Sequence, residues 1–179
     1  MMNIYLMGYM GSGKSAVGKE LATRLGYNLI DFDDYIETKE NATISSIFKE
    51  KGEIYFRKKE AAYLIELTET IKDKTIISLG GGTPCYGVNL ETIKKTGSIS
   101  LYLNTSVQEL TARLWGERAK RPLISLQESR ESLEEYIRKH LFERGFYYNQ
   151  ARHSIKTNDK SVNDIVPVSY THLTLPTKA

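Results

Sequence analysis

Short apolar runs alternate along this chain with longer stretches in which apolar side chains return every three or four residues. "NIYLM" (3–7) is a compact apolar run stopped by a glycine-rich turn, which predicts a buried strand. In "KSAVGKELATRLG", Val17, Leu21 and Leu25 recur every four residues and Gly26 follows, which predicts a helix with a glycine stop. "NLID" (28–31) reads as a second strand, "DYIETKE" and "TISSIFKEKG" as short helices, and about 53–71 as a longer one. "TIISL" (75–79) and "SISLYL" (98–103) are strands, and Ser106 with Glu109 forms an S-x-x-E capping box that opens a helix carrying Leu110 and Leu114. Residues 116–126, "GERAKRPLISL", mix Gly, Pro and cations with no period and read as a mobile loop. A long helix over about 128–151 and a last strand, "HSIKT" (153–157), complete the series.

Strands alternating with long helical crossovers predict an α/β fold, a parallel sheet covered on both faces. The pattern fails near the end. Ser161 caps a helix, "VNDIV", that Pro167 is expected to stop, and "VSYTHLTLPTKA" shows no amphipathic period. The expected organisation is one domain over 1–166 and a disordered or non-native tail over 167–179.

Composition narrows the classes without choosing one. A chain of 179 residues fits a single domain, and 40% hydrophobic with 26% charged residues is ordinary globular usage. The net charge of +3 comes with no Lys/Arg block, so no nucleic-acid partner is expected. A single cysteine, Cys85, excludes an intramolecular disulfide framework and a cysteine zinc cluster, and His140, His153 and His172 are scattered. The first residues lack a basic signal-peptide start, and no apolar run nears the roughly 20 residues a membrane span needs. A soluble cytoplasmic domain with no membrane partner is the expectation.

Chemistry enters with "GYMGSGKS" (8–15), a full match to G-x-x-x-x-G-K-[ST] with a strand before it and a helix after. Such a loop turns successive backbone N–H groups inward onto phosphate oxygens, and the helix N-terminus adds its positive end. Lys14 then reaches the β- and γ-phosphates of a nucleoside triphosphate, and the Ser15 hydroxyl ligates Mg²⁺. The usual partner carboxylate at the end of a buried strand is missing from "TIISLGGG", so the acids of "NLIDFDDYIE" (28–37) are the source. In extended chain Asp31 and Asp33 share a face and open onto the ligand crevice, whereas Asp34 belongs to the first turn of the next helix. Three glycines, 80–82, free a strand end for backbone contact with a substrate. Arg57 and Arg144 lie in apolar settings, and if they converge they form a bidentate clamp for a carboxylate.

Taken in order, "GYMGSGKS", "LIDFDDYIE", "GEIYFRKKEA", "ISLGGGT", "RPLI", "ERGFYY" and "IKTN" resemble the blocks of the shikimate kinase family, over roughly residues 3 to 165. The resemblance implies a P-loop NTPase of the nucleoside-monophosphate-kinase-like type, with a five-stranded parallel sheet and a mobile lid. It implies transfer of the γ-phosphoryl of ATP, with Mg²⁺, to the 3-hydroxyl of shikimate, on the way to chorismate and the aromatic amino acids. Carried over by position, Gly11, Ser12, Gly13, Lys14, Ser15 and Ala16 hold the ATP phosphates, and Ser15 with Asp31 holds the metal. Asp33 binds shikimate hydroxyls and is the base; Arg57 and Arg144 grip its carboxylate; Gly80, Gly81 and Gly82 offer backbone contacts. Arg121 is the lid arginine, with Arg118 and Lys120 as alternatives, while Arg113, Thr157 and Asn158 lie near adenine. Family precedent implies a monomer. Two other readings stand beside this one: a gluconate or nucleotide kinase of the same fold, and a nucleotide-binding regulator that does not turn over.

Overall fold

Strands and helices alternate as the apolar pattern demands. The structure, a computed structural model, describes residues 2–174. The chain runs β1 (Ile4–Met7), α1 (Lys14–Leu25), β2 (Asn28–Asp31), α2 (Phe32–Glu40), α3 (Ile44–Thr70), β3 (Thr75–Ser78), α4 (Asn89–Lys95), β4 (Ile99–Asn104), α5 (Val107–Trp115), α6 (Arg130–Tyr148), β5 (His153–Lys156) and α7 (Val162–Thr174). Short 3₁₀ turns occupy Thr83–Cys85 and Arg118–Lys120. The five strands are all parallel in the order β2-β3-β1-β4-β5.

Alternate strand residues feed the two faces of the sheet. Ile4 and Leu6 of β1 and Leu101 and Leu103 of β4 pack with Val17 and Leu21 of α1 and with Ile165 and Val166 of α7. Tyr5 and Met7 of β1 and Tyr102 of β4 point the other way, into a core with Phe32, Ile36, Phe56, Leu64 and Tyr148. Both faces of the three central strands, β1, β3 and β4, are therefore covered, as a parallel sheet requires, while the edge strands β2 and β5 stay partly exposed. A third cluster joins α5 and α6 through Leu110, Leu114, Leu133 and Ile137, and Ile124 is buried in it. That one side chain, worth about 2 kcal/mol of burial, anchors the irregular 116–126 segment.

From the central strand β1 the chain crosses to the edge strand β2, returns to β3 beside β1, and then passes β1 to reach β4 and β5 on the other side, so the direction of winding switches beside β1. Ligand crevices in such sheets open at the carboxyl ends of the strands, at the switch point. The phosphate loop after β1, Asp31 at the end of β2, the glycines after β3 and Asn158 after β5 all lie at those carboxyl ends.

Four local expectations change. The two helices read on either side of Gly52 are one rod with a break, where Gly52 alone leaves helical geometry (φ 83°, ψ 171°). Helix α4 carries only Leu90 and Ile93 inward over seven residues, too few for a period to show. The Ser106 box is half formed: Ser106 Oγ accepts from the Glu109 amide (3.2 Å), but Glu109 pairs with Arg113 (2.9 Å) and Asn158 Oδ1 accepts from the Ser106 amide (2.8 Å). Finally, Pro167 does not stop the last helix, and the irregular tail expected from 167 is helical as far as Thr174. Pro167 lies on the exposed side of α7, where a carbonyl left without its helical partner meets water, while Ile165, Val166 and Ser169 are buried. The remaining tail, 175–179, lies outside the described residues. No helix among the described residues is long and apolar enough to cross a membrane.

Candidate active site

The loop 8–15 joins β1 to α1, with Gly13 as the helix N-cap at φ 93°. Lys14 is buried and folds back over the loop, its ammonium donating to the carbonyls of Gly8 (2.7 Å) and Tyr9 (3.0 Å). Burial pushes this ammonium down to about 8, against the opposing pull of Asp33 and Asp31. The Ser12 hydroxyl is buried with no hydrogen-bond partner among the described residues, an orphan polar group in a cradle suited to phosphate oxygens.

Asp31 is positioned differently from the extended-chain reading. Strand β2 ends at Asp31 and α2 begins at Phe32, so Asp33 already lies in a helical turn and the shared-face relation does not hold. Asp31 is itself the N-cap: its Oδ1 accepts from the amides of Asp33 (3.0 Å) and Asp34 (3.3 Å). Its Oδ2 accepts from the Ser15 hydroxyl at 3.3 Å. Asp34 adds negative charge to the first turn, as expected, but the capping is done by Asp31.

Asp33 is turned towards the glycine stretch. A Cβ placed on Gly80 would fall 2.7 Å from Asp33 Oδ1, so only glycine fits beneath this carboxylate. Burial first, and then the negative charge of Asp31, raise Asp33 from 3.8 to about 6.

Asp33, Arg57, Arg144 and residues 80–82 face one cavity of about 730 Å³, which Lys120–Leu123 also line. The two arginines, 87 residues apart in sequence by their numbers, thus meet at one site. Arg57 Nη1 donates to Glu60 Oε1 (2.9 Å), and the fully buried Glu60 also accepts from the Thr83 hydroxyl (2.8 Å). Arg57 Nε is buried with no hydrogen-bond partner among the described residues, although the Glu53 carboxylate lies 3.5 Å from it. The Arg144 guanidinium lies 5.5 Å from the ring centre of Tyr9, in the phosphate loop itself. Tyr148 donates to the Gly81 carbonyl, fixing the glycine stretch against α6.

The remaining expected residues divide. Arg121 and Lys120 line the cavity, with Arg121 held by Glu117 (2.6 Å). Arg118 instead stacks on the Trp115 ring at 3.7 Å. Arg113 donates to the Gly11 carbonyl (3.1 Å) and so borders the phosphate loop. Asn158 follows β5 and caps the backbone at Ser106, while Thr157 is buried against Thr105, their hydroxyl oxygens 2.6 Å apart. Glu60 and Thr83 were not assigned from sequence; an acid three residues after an arginine on a helix is a weak signal of their role.

A strand–loop–helix phosphate cradle beside a cavity that Asp33, Arg57 and Arg144 share with further acids and cations defines a P-loop phosphotransferase with an anionic acceptor. The sequence profile described as shikimate kinase matches residues 10–173, and the chain belongs to the shikimate kinase family. A shikimate kinase of Flavobacterium johnsoniae is 41% identical, the match covering 94% of this chain and 99% of the relative. Among solved structures, a shikimate kinase of Bacteroides thetaiotaomicron superposes with a TM-score of 0.88 at 32% identity, over 97% of this chain and 99% of the other. A shikimate kinase of Acinetobacter baumannii in complex with shikimate superposes with a TM-score of 0.86 at 34% identity, over 97% and 93% of the two chains.

Proposed function

We propose that the chain transfers the γ-phosphoryl group of ATP to the 3-hydroxyl of shikimate, giving shikimate 3-phosphate for chorismate and aromatic amino acid synthesis. The observation that carries this reading is the convergence of Asp33, Arg57 and Arg144 on one cavity beside the phosphate loop. Shikimate has the matching chemistry: one carboxylate for the arginines and a hydroxyl for the aspartate. A nucleoside monophosphate acceptor needs a base pocket that these residues do not supply. A non-catalytic regulator leaves them without a task.

Residues 11–16 hold the triphosphate, with the orphan Ser12 hydroxyl and the Lys14 ammonium directed at its oxygens. Lys14 exchanges its two carbonyl partners for phosphate as the nucleotide enters. Ser15 and Asp31 fit Mg²⁺, since a hydroxyl and one carboxylate leave the other positions to phosphates and water. The ion, when bound, supplies positive charge to the phosphate oxygens. Asp33 accepts a hydrogen bond from the acceptor hydroxyl and takes its proton as the new P–O bond forms; a base near 6 is ionised at neutral pH. Arg121 adds charge from the cavity wall, and Lys120–Leu123, which line the same cavity, exclude water, the competing acceptor. Gly80–Gly82 present backbone to the substrate, and Arg113 and Asn158 border the nucleotide. The proposal includes a monomer acting in the cytoplasm, in keeping with a site assembled from one chain.

The carboxylate assignment is tested by titrating the protein with shikimate and with shikimate methyl ester. The expected result is binding of the acid and loss of at least about tenfold in affinity for the neutral ester, the scale of a charge-assisted bidentate pair. Equal affinities would overturn it.

A further inference from the structure

We propose that Tyr86 is a positioning residue for the acceptor site, holding the plane of the Arg57 guanidinium so that its free N–H edge faces the cavity. This rests on the reading of Arg57 as part of the carboxylate clamp.

Arg57 and Tyr86 come from different elements, α3 and the segment after the glycine stretch. The guanidinium carbon lies 3.7 Å from the centre of the Tyr86 ring, much closer than to the rings of Phe56 (5.1 Å) or Phe48 (6.0 Å). Gly82 lies against the same group: a Cβ there would fall 2.9 Å from Arg57 Nη2 and 3.2 Å from Tyr86 Cε2. The ring makes this contact; no hydrogen bond joins the Tyr86 hydroxyl to another described residue. Tyr86 is absent from the cavity wall, so it acts through Arg57 and not on the substrate.

A bidentate clamp needs a defined plane as well as a defined position. The bond from Nη1 to the buried Glu60 (2.9 Å) fixes one point, and the second anion, Glu53 at 3.5 Å from Nε, is 55% exposed and holds the plane only weakly. A stacked ring fixes the plane. The backbone that carries the ring is held: the buried Asn89 donates its amide N–H to the Tyr86 carbonyl (3.2 Å) and its side chain to the Thr83 carbonyl (2.9 Å), while the Tyr86 side chain itself is partly exposed beside Arg57. Without the ring, the guanidinium plane is left to Glu60 and to the exposed Glu53, whose side chain is free to carry it away from the cavity.

The test is a steady-state comparison of Tyr86→Ala, Tyr86→Phe, Arg57→Ala and the Tyr86→Ala/Arg57→Ala double variant, with shikimate and Mg-ATP. For Tyr86→Ala the expected result is a rise in the KM for shikimate of about 3- to 30-fold, the range of a guanidinium–ring contact. Its kcat stays within about twofold and its KM for ATP is unchanged, since only acceptor binding is affected. Tyr86→Phe keeps the ring and stays wild-type-like. In the Arg57→Ala background, removing Tyr86 adds nothing further. If Arg57→Ala raises the KM for shikimate and Tyr86→Ala does not, the proposal alone is overturned. The same holds if Tyr86→Ala is equally damaging with and without Arg57. If Arg57→Ala leaves the KM for shikimate unchanged, the clamp reading falls and takes the proposal with it.

Discussion

The Ser15 hydroxyl donates to Asp31 Oδ2 at 3.3 Å, joining the first turn of α1 to the end of β2. The other oxygen of the same carboxylate caps α2 through two backbone amides. On the proposed reading Asp31 combines a task at the metal site with a structural one, and two substitutions separate them. Asn is as good an N-cap as Asp but carries no charge. Asp31→Asn is expected to keep the thermal midpoint and to raise the Mg²⁺ concentration needed for half-maximal turnover by about tenfold or more, the scale of a lost charge-assisted contact. Asp31→Ala loses the cap as well, at about 1 kcal/mol of stability. Magnesium titrations of rate and thermal unfolding of both variants check this.

Asp33 predicts a pH profile. Its value of about 6 lies above the ordinary 3.8, and as the proposed base Asp33 reacts in its ionised form. The kcat/KM for shikimate should rise with pH, with an acid limb near 6, and Asp33→Asn should lose most of its turnover. The same shift acts on stability in the opposite sense. Because the folded state holds the proton more tightly, stability falls as pH rises from 3.8 through about 6, and the cost is complete above that. Asp33→Asn should then be more stable than the wild type at pH about 8, by about 1–2 kcal/mol, and not at pH about 4. Chemical denaturation at the two pH values measures this.

Glu60 holds Arg57 and Thr83 together while fully buried. Glu60→Ala leaves a cation and a hydroxyl without their partner. The expected loss is about 3 kcal/mol of stability, with a raised KM for shikimate. Glu60→Gln should recover part of the stability because its carbonyl still accepts one of the two bonds. Denaturant midpoints and KM values for both variants decide the point.

Pro167 interrupts the hydrogen-bond ladder of α7 on its exposed side. Pro167→Ala restores an amide and a helix-favouring residue, at some gain in the freedom of the unfolded chain. A net stabilisation of about 1–2 kcal/mol is expected, with unchanged kcat, since α7 packs on α1 and β5, away from the acceptor cavity. Thermal unfolding alongside an activity assay tests both halves.

How far the sequence reached depended on how local each feature is. The phosphate loop was legible because its function lies in eight consecutive backbone units, Gly8 to Ser15, flanked by a clear strand and a clear helix. The roles of Asp31 and Asp33 were read through the wrong local geometry, because β2 passes into α2 with no turn residue to mark the change. Asn158, arriving from β5, displaced Glu109 from the Ser106 box, and no local rule announces a partner 52 residues away. Pro167 was read as a stop because its exposure on the helix surface is set by packing against α1. The meeting of Arg57 with Arg144, and of Arg57 with Tyr86, depends on how α3, α6 and the glycine stretch pack, which spacing along the chain does not encode.

The central claim, a phosphotransferase whose acceptor is shikimate, is tested most directly by acceptor-dependent release of ADP from Mg-ATP by the purified chain. Shikimate, gluconate and a nucleoside monophosphate are offered in parallel, with Lys14→Ala as the inactive control. The account predicts rapid release with shikimate alone, and a fall of about 10²–10³-fold or more in the control, the scale of losing one preorganised charge at the transferring group. Release driven by gluconate or a nucleoside monophosphate, with none from shikimate, would contradict it.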